Sequence, residues 1–125
     1  AFVAYSAAWW SEPTETLREV HALIVCGEAD EPRFEPTKEF FERGHALGLP
    51  WIWRSYEGVG HTLTPCIRDL AEAFLAAQLA ETKVAPLYGD TQTYRVVEEN
   101  EMESILPEVR VVLPSRAFAE IWREE

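Results

Sequence analysis

The chain has 125 residues, 47% hydrophobic and 26% charged, with a formal net charge of −11. That length holds one domain with a core of its own but hardly two, and the composition is globular rather than disordered. The acidic balance argues against a nucleic-acid binder, which needs a surplus of Lys and Arg to neutralise phosphate, and against docking on anionic membranes.

In chain order, AFVAYSAA at residues 1–8 reads as a buried strand, apolar and too short for a helix. The apolar opening resembles the middle of a domain more than its start. SEPTETLREV carries turn chemistry with scope for a short helix. VHALIVCGEAD contains the clearest strand, a continuous apolar run bounded by Gly27, the pattern of a parallel strand covered on both faces. PTKEFFERGHALGLP predicts a helix with Phe40, Phe41, Ala46 and Leu47 on its apolar face, ended by Gly48 and Pro50. WIWRSYE predicts a strand, and a turn with Gly58, Gly60 and His61 leads to a helix from Pro65 to Ala80. Ile67, Leu70, Ala71, Phe74, Leu75 and Leu79 recur along that helix at helical spacing.

Alternating strands and helices of this kind predict an α/β fold with a parallel sheet and flanking helices over residues 1–80. Residues 81–125 read as a C-terminal extension packing on that core or on a partner. They hold a turn signal at YGDTQ, two β-like pieces (YRVVE and VRVVLP) and an amphipathic end, SRAFAEIW. No run approaches the roughly 20 apolar residues of a membrane helix, and no signal peptide with a basic start is visible. Two cysteines make no disulfide framework, so a cytoplasmic setting is expected, with Cys26 as a small buried hydrophobe.

Reactive groups in an open parallel sheet collect at the carboxyl ends of its strands. Asp30 follows ALIVC through Gly-Glu-Ala, and His61 follows WIWRSYE through Gly-Val-Gly. If the two strands are neighbours, both turns meet at one sheet edge. A carboxylate beside an imidazole is the orienter and base of a nucleophilic triad. ALIVCGEAD, a helix, WIWRSYEGVGHTL and a closing helix resemble the C-terminal half of the α/β-hydrolase superfamily, in which the acid precedes the histidine. The resemblance covers residues 1–80 and implies a partial α/β-hydrolase fold with Asp30 and His61 as catalytic acid and base. It also implies a small ester-type substrate and no cofactor. The family's nucleophile, in Gly-x-Ser-x-Gly, has no counterpart: no serine in the chain has glycines two residues to either side. Ser6 is set aside because Ala4 and Ala8 flank it on the expected strand. The nucleophile would then come from an N-terminal half of the hydrolase. Alternatively the chain is a non-catalytic truncated α/β domain that self-associates through an open sheet edge.

Plainer accounts stand beside each candidate. His61 could cap the next helix with Thr62 or Thr64, Asp30 could simply start a turn before Pro32, and Glu28 or Glu31 could compete as the orienting acid. Gly58 and Gly60 lack the third glycine of a dinucleotide fingerprint. His21, His45 and His61 show no metal-ligand spacing, so no metal is expected. Cys66 reads as a half-buried structural thiol. Trp9 and Trp10, at the end of the first strand where a pocket would open, are the candidate substrate-binding residues, whereas Trp51 and Trp53 read as sheet packing.

Overall fold

A computed structural model describes residues 1–7 and 12–124. The chain divides into two compact units, Ala1–Thr64 and Pro65–Glu125. Helices and strands are mixed in both, and no helix among the described residues is long and apolar enough to cross a membrane.

The first unit is built on a three-stranded parallel sheet in the order β1-β2-β3, with β1 at Phe2–Tyr5, β2 at Ala22–Gly27 and β3 at Trp51–Tyr56. Register runs from Phe2 opposite Ala22 to Tyr5 opposite Val25, and from Ala22 opposite Trp51 to Gly27 opposite Tyr56. The central strand β2 is buried at every position, as its unbroken apolar run predicts. Leu23, Ile24 and Val25 have no measurable exposure, and burying each contributes about 1.5–3 kcal/mol relative to leaving it in water. The scope for a short helix in SEPTETLREV is realised as one 3-10 turn, Glu15–Leu17.

Helix α1, Phe34–Ala46, begins two residues before the expected Pro36. Its first turn is fixed by the Asp30 carbonyl, which accepts the amides of Arg33 and Phe34 at 2.8 Å each. Pro36 fits the third helical position, where an amide has no intrahelical partner to lose. The buried stripe is Thr37, Phe41 and Gly44; Ala46 and Leu47, expected on the apolar face, are exposed, and this corrects that part of the reading. Gly44 is the reason the stripe works. A Cβ there would lie 3.0 Å from Trp51 Cη2 and closer still to two other ring carbons, so only glycine lets the Trp51 ring lie against the helix. That ring also meets Phe40 at 4.8 Å and Phe2 edge-on at 6.1 Å, and its indole N–H donates to the Val20 carbonyl at 3.2 Å. The helix ends at Gly48, whose φ of 79° is the left-handed conformation a helix C-terminus favours.

The second unit holds helix α2 (Pro65–Leu79), strands β4 (Leu87–Asp90), β5 (Val96–Val97) and β6 (Arg110–Leu113), and helix α3 (Arg116–Trp122). The strands form an antiparallel sheet in the order β5-β4-β6. Ile67, Leu70 and Phe74 are the buried stripe of α2, while Leu75 and Leu79 are exposed. Phe74 meets Phe118 of α3 edge-on at 6.1 Å. Phe118, Ala119 and Trp122 are buried with Leu113, Val111 and Ile105. The division therefore falls at Thr64 rather than after residue 80: α2 clusters with the C-terminal segment, which has a core of its own. The YGDTQ turn signal is also displaced. Tyr88, Gly89 and Asp90 pair as strand, and the turn follows them: the Asp90 carboxylate accepts the Gln92 amide at 2.8 Å and the Thr93 amide at 3.2 Å, and the Asp90 carbonyl accepts the Tyr94 amide at 2.7 Å.

Candidate functional site

Both site loops leave the carboxyl end of the parallel sheet, one from β2 and one from its neighbour β3. They are stitched together by backbone. The Glu28 amide donates to the Tyr56 carbonyl at 2.9 Å, which continues the ladder past the strand ends, and the Ala29 amide donates to the Val59 carbonyl at 2.9 Å. Gly27 permits this approach. A Cβ at that position would stand 2.7 Å from the Gly60 oxygen and the Val59 carbonyl carbon, and closer to the Val59 oxygen. Gly58, with φ of 74°, turns the second loop back toward the first.

The result is a direct pair. His61 Nδ1 and Asp30 Oδ2 are 2.9 Å apart. An ionised carboxylate only accepts hydrogen bonds, so Nδ1 carries the proton and donates it, and Nε2 is left as the basic nitrogen. Asp30 is 2% exposed, whereas the His61 side chain is 55% exposed. Burial by itself would push the Asp30 carboxyl up; the hydrogen bond from His61, the Ser6 hydroxyl, and the charges of His61 and Arg33 together outweigh it and hold the carboxyl below the ordinary carboxylate range. Arg33 Nη1 lies 3.5 Å from Asp30 Oδ1, one helical turn along. The carboxylate thus stays ionised in a buried position, which an orienting acid requires.

The competing acids are otherwise engaged or turned to solvent. Glu28 accepts a hydrogen bond from Ser55 Oγ at 2.8 Å, and Glu31 is exposed. Cys26 is fully buried, its Sγ 3.6 Å from Ser6 Oγ; burial pushes its thiol up, against opposing hydrogen bonds from Ser6 and Thr37, so it is held as a neutral thiol. Cys66 is half-buried in the first turn of α2. His45 stacks on Phe41 at 5.4 Å, and His21 is exposed. Among the described residues, no group of three or more His, Cys, Asp or Glu side chains could hold a metal ion. Trp9 and Trp10 lie outside the described residues.

Sequence reasoning passed over four residues that shape the pair. Arg33 was visible as a cation three positions after Asp30 on a helix start. Ser6 was weighed only as a nucleophile, yet it sits directly after β1, 5% exposed, with φ of 50°, a conformation uncommon for a residue with a Cβ. Gly27 read as the end of a strand rather than as a point of close approach. Tyr5 carried no signal of its own. Among the described residues, no serine, threonine or cysteine side chain hydrogen-bonds to His61.

No family model matches the chain, and neither the curated proteins nor the solved structures compared with it contain a match.

Proposed function

We propose that the first unit is the acid-and-base portion of a serine hydrolase acting on small carboxylic esters, with a partial α/β-hydrolase fold. The observation that carries this reading is the buried, ionised Asp30 bonded to Nδ1 of an exposed His61 at 2.9 Å. With Nδ1 committed to the carboxylate, Nε2 takes the proton of an attacking serine hydroxyl and returns it to the leaving alcohol. Asp30 fixes the tautomer and steadies the imidazolium formed in between. The serine and the amides that hold the oxyanion come from a separate nucleophile-bearing half, because no Gly-x-Ser-x-Gly occurs in these 125 residues. No cofactor or metal enters this chemistry.

The test is hydrolysis of p-nitrophenyl acetate. The chain alone should give no saturable turnover. Co-expression with a nucleophile-bearing polypeptide encoded beside it should restore turnover that His61→Ala abolishes. Asp30→Asn should lower kcat by about 10⁴-fold, the loss typical of amidating the acid of such a triad. Saturable turnover by the chain alone would overturn the assignment of an external serine.

A second reading draws on the sheet edge. Strand β1 pairs with β2 and, among the described residues, with no other strand, and an open edge is a template for a second chain. A non-catalytic, self-associated domain would then sediment as a stable homodimer, whereas the hydrolase reading calls for co-purification with a different polypeptide.

A further inference from the structure

We propose that Tyr5 is a positioning residue for His61, its ring serving as the floor on which the imidazole lies. This deepens the hydrolase reading and rests on it for the role of His61 as base. The Tyr5 and His61 rings are stacked, with centroids 5.9 Å apart and planes inclined by 23°. The contact joins the last residue of β1 to the loop after β3, across the width of the sheet.

A floor is needed because one hydrogen bond does not fix a ring. The torsion that turns an imidazole about its Cβ–Cγ bond is broad and roughly two-fold, and the His61 side chain is 55% exposed. The bond from Nδ1 to Asp30 fixes one atom of the ring, and a stacked face restricts the plane, so that Nε2 keeps one direction. Tyr5 is suited to this by its own placement. It ends a strand paired in register with β2, Tyr5 opposite Val25, so its backbone is held by the sheet rather than by a loop. The next residue, Ser6, donates its amide to the Val25 carbonyl at 2.9 Å and then turns away with φ of 50°, which ends the strand directly after Tyr5.

The hydroxyl has a different standing from the ring. It is buried, with the Ser6 side chain and the Thr62 backbone nearby but no hydrogen bond of good geometry among the described residues. Burial pushes the phenol up, against the opposing pull of Ser6 and the Thr62 backbone. It therefore remains neutral near pH 7 and does not compete with His61 as a base. The positioning role belongs to the aromatic face, and Phe at this position should perform it.

The experiment is proton NMR of the 125-residue chain, following the His61 Nδ1 proton and its exchange with solvent. In the wild-type chain, cross-relaxation should connect the Tyr5 ring protons with those of His61; its absence overturns the proposal without any variant. Tyr5→Leu, checked for an intact core by the amides of Leu23 and Val25, should speed exchange by about 2- to 10-fold, the equilibrium worth of one aromatic pair. Tyr5→Phe should hold the wild-type rate within about twofold, as expected if the face alone acts. An unchanged rate in folded Tyr5→Leu overturns the proposal, and so does a rate in Tyr5→Phe matching that of Tyr5→Leu. No nucleophile enters the measurement. Faster exchange in Tyr5→Leu therefore supports the placement even where the ester assay fails, and unchanged exchange overturns it even where the ester assay succeeds.

Discussion

Gly27→Ala puts the geometry of the site under the most direct strain. Gly27 is the last residue of β2 and is buried. The added Cβ would lie 2.7 Å from the Gly60 oxygen and from the Val59 carbonyl carbon, with the Val59 oxygen nearer still. All three are backbone atoms, so no side chain can rotate out of the way; either the 57–61 loop lifts or the end of β2 bends. Lifting the loop breaks the Ala29–Val59 hydrogen bond of 2.9 Å and carries His61 away from Asp30. Loss of one neutral hydrogen bond costs about 1 kcal/mol, and loss of one to a charged group about 1.5–3 kcal/mol. Bending the strand instead costs overpacking energy of about 1–3 kcal/mol. Lifting the loop should therefore destabilise the first unit by about 2.5–4 kcal/mol and bending the strand by about 1–3 kcal/mol, so the substitution costs at least about 1 kcal/mol by either route. The assay is urea denaturation together with hydrogen exchange at the Ala29 amide and loss of the His61 Nδ1 proton signal. Gly60→Ala is the control, since a Cβ there meets nothing within 4 Å and its φ lies outside the left-handed region; it should stay within about 0.5 kcal/mol of wild type. If Gly27→Ala were as mild as Gly60→Ala and kept the Nδ1 signal, the stitched-loop account of the site would be wrong.

Acid should act on the same pair in a defined direction. The folded-state pKa of Asp30 is below its ordinary 3.8, so its carboxylate contributes stability that is fully present above that value and is lost as pH falls through the depressed folded value. The stability gap between wild type and Asp30→Asn, read from urea midpoints, should therefore shrink as pH falls below 3.8; a gap that widens as pH falls below that value would contradict the direction of the shift. Gly44→Ala tests α1 against the sheet. Helix propensity favours alanine by about 1 kcal/mol, but the Cβ would press on a Trp51 ring already fenced by Phe40 and Phe2, at an overpacking cost of about 1–3 kcal/mol. Thermal unfolding should show net destabilisation, and a rise in Tm would mean that Trp51 has room to move.

The elements of the first unit were legible because each is encoded locally. The unbroken run ALIVC marks a strand buried on both faces, and WIWRSY and the FFERGHA helix carry their own periods and stops. Chain order and parallel pairing then require that the turns after neighbouring strands emerge at one edge, which is why Asp30 and His61 could be named together before their distance was known. The C-terminal segment was less legible. Its β-like pieces YRVVE and VRVVLP and its amphipathic end hold β5, β6 and α3, but β4, four residues long, was hidden because Gly89 looked like a turn residue. In the structure Gly89 is strand backbone beneath the Trp122 ring, where a Cβ would stand 2.6 Å from two ring carbons.

Sequence by itself determined the strands and helices of the first unit, the two turns that carry Asp30 and His61, and the acidic character of the whole. Tertiary structure alone decided that Gly27 must be bare of a Cβ, that Tyr5 stacks on the histidine, that Ser6 turns beside the buried carboxylate, and that α2 belongs with the second unit. The reason is the range of the physics. Periodicity and turn chemistry act over a few neighbours in the chain. A 2.9 Å contact between residues 31 positions apart depends on how strands are ordered and how closely two backbones approach, and no single segment carries that information.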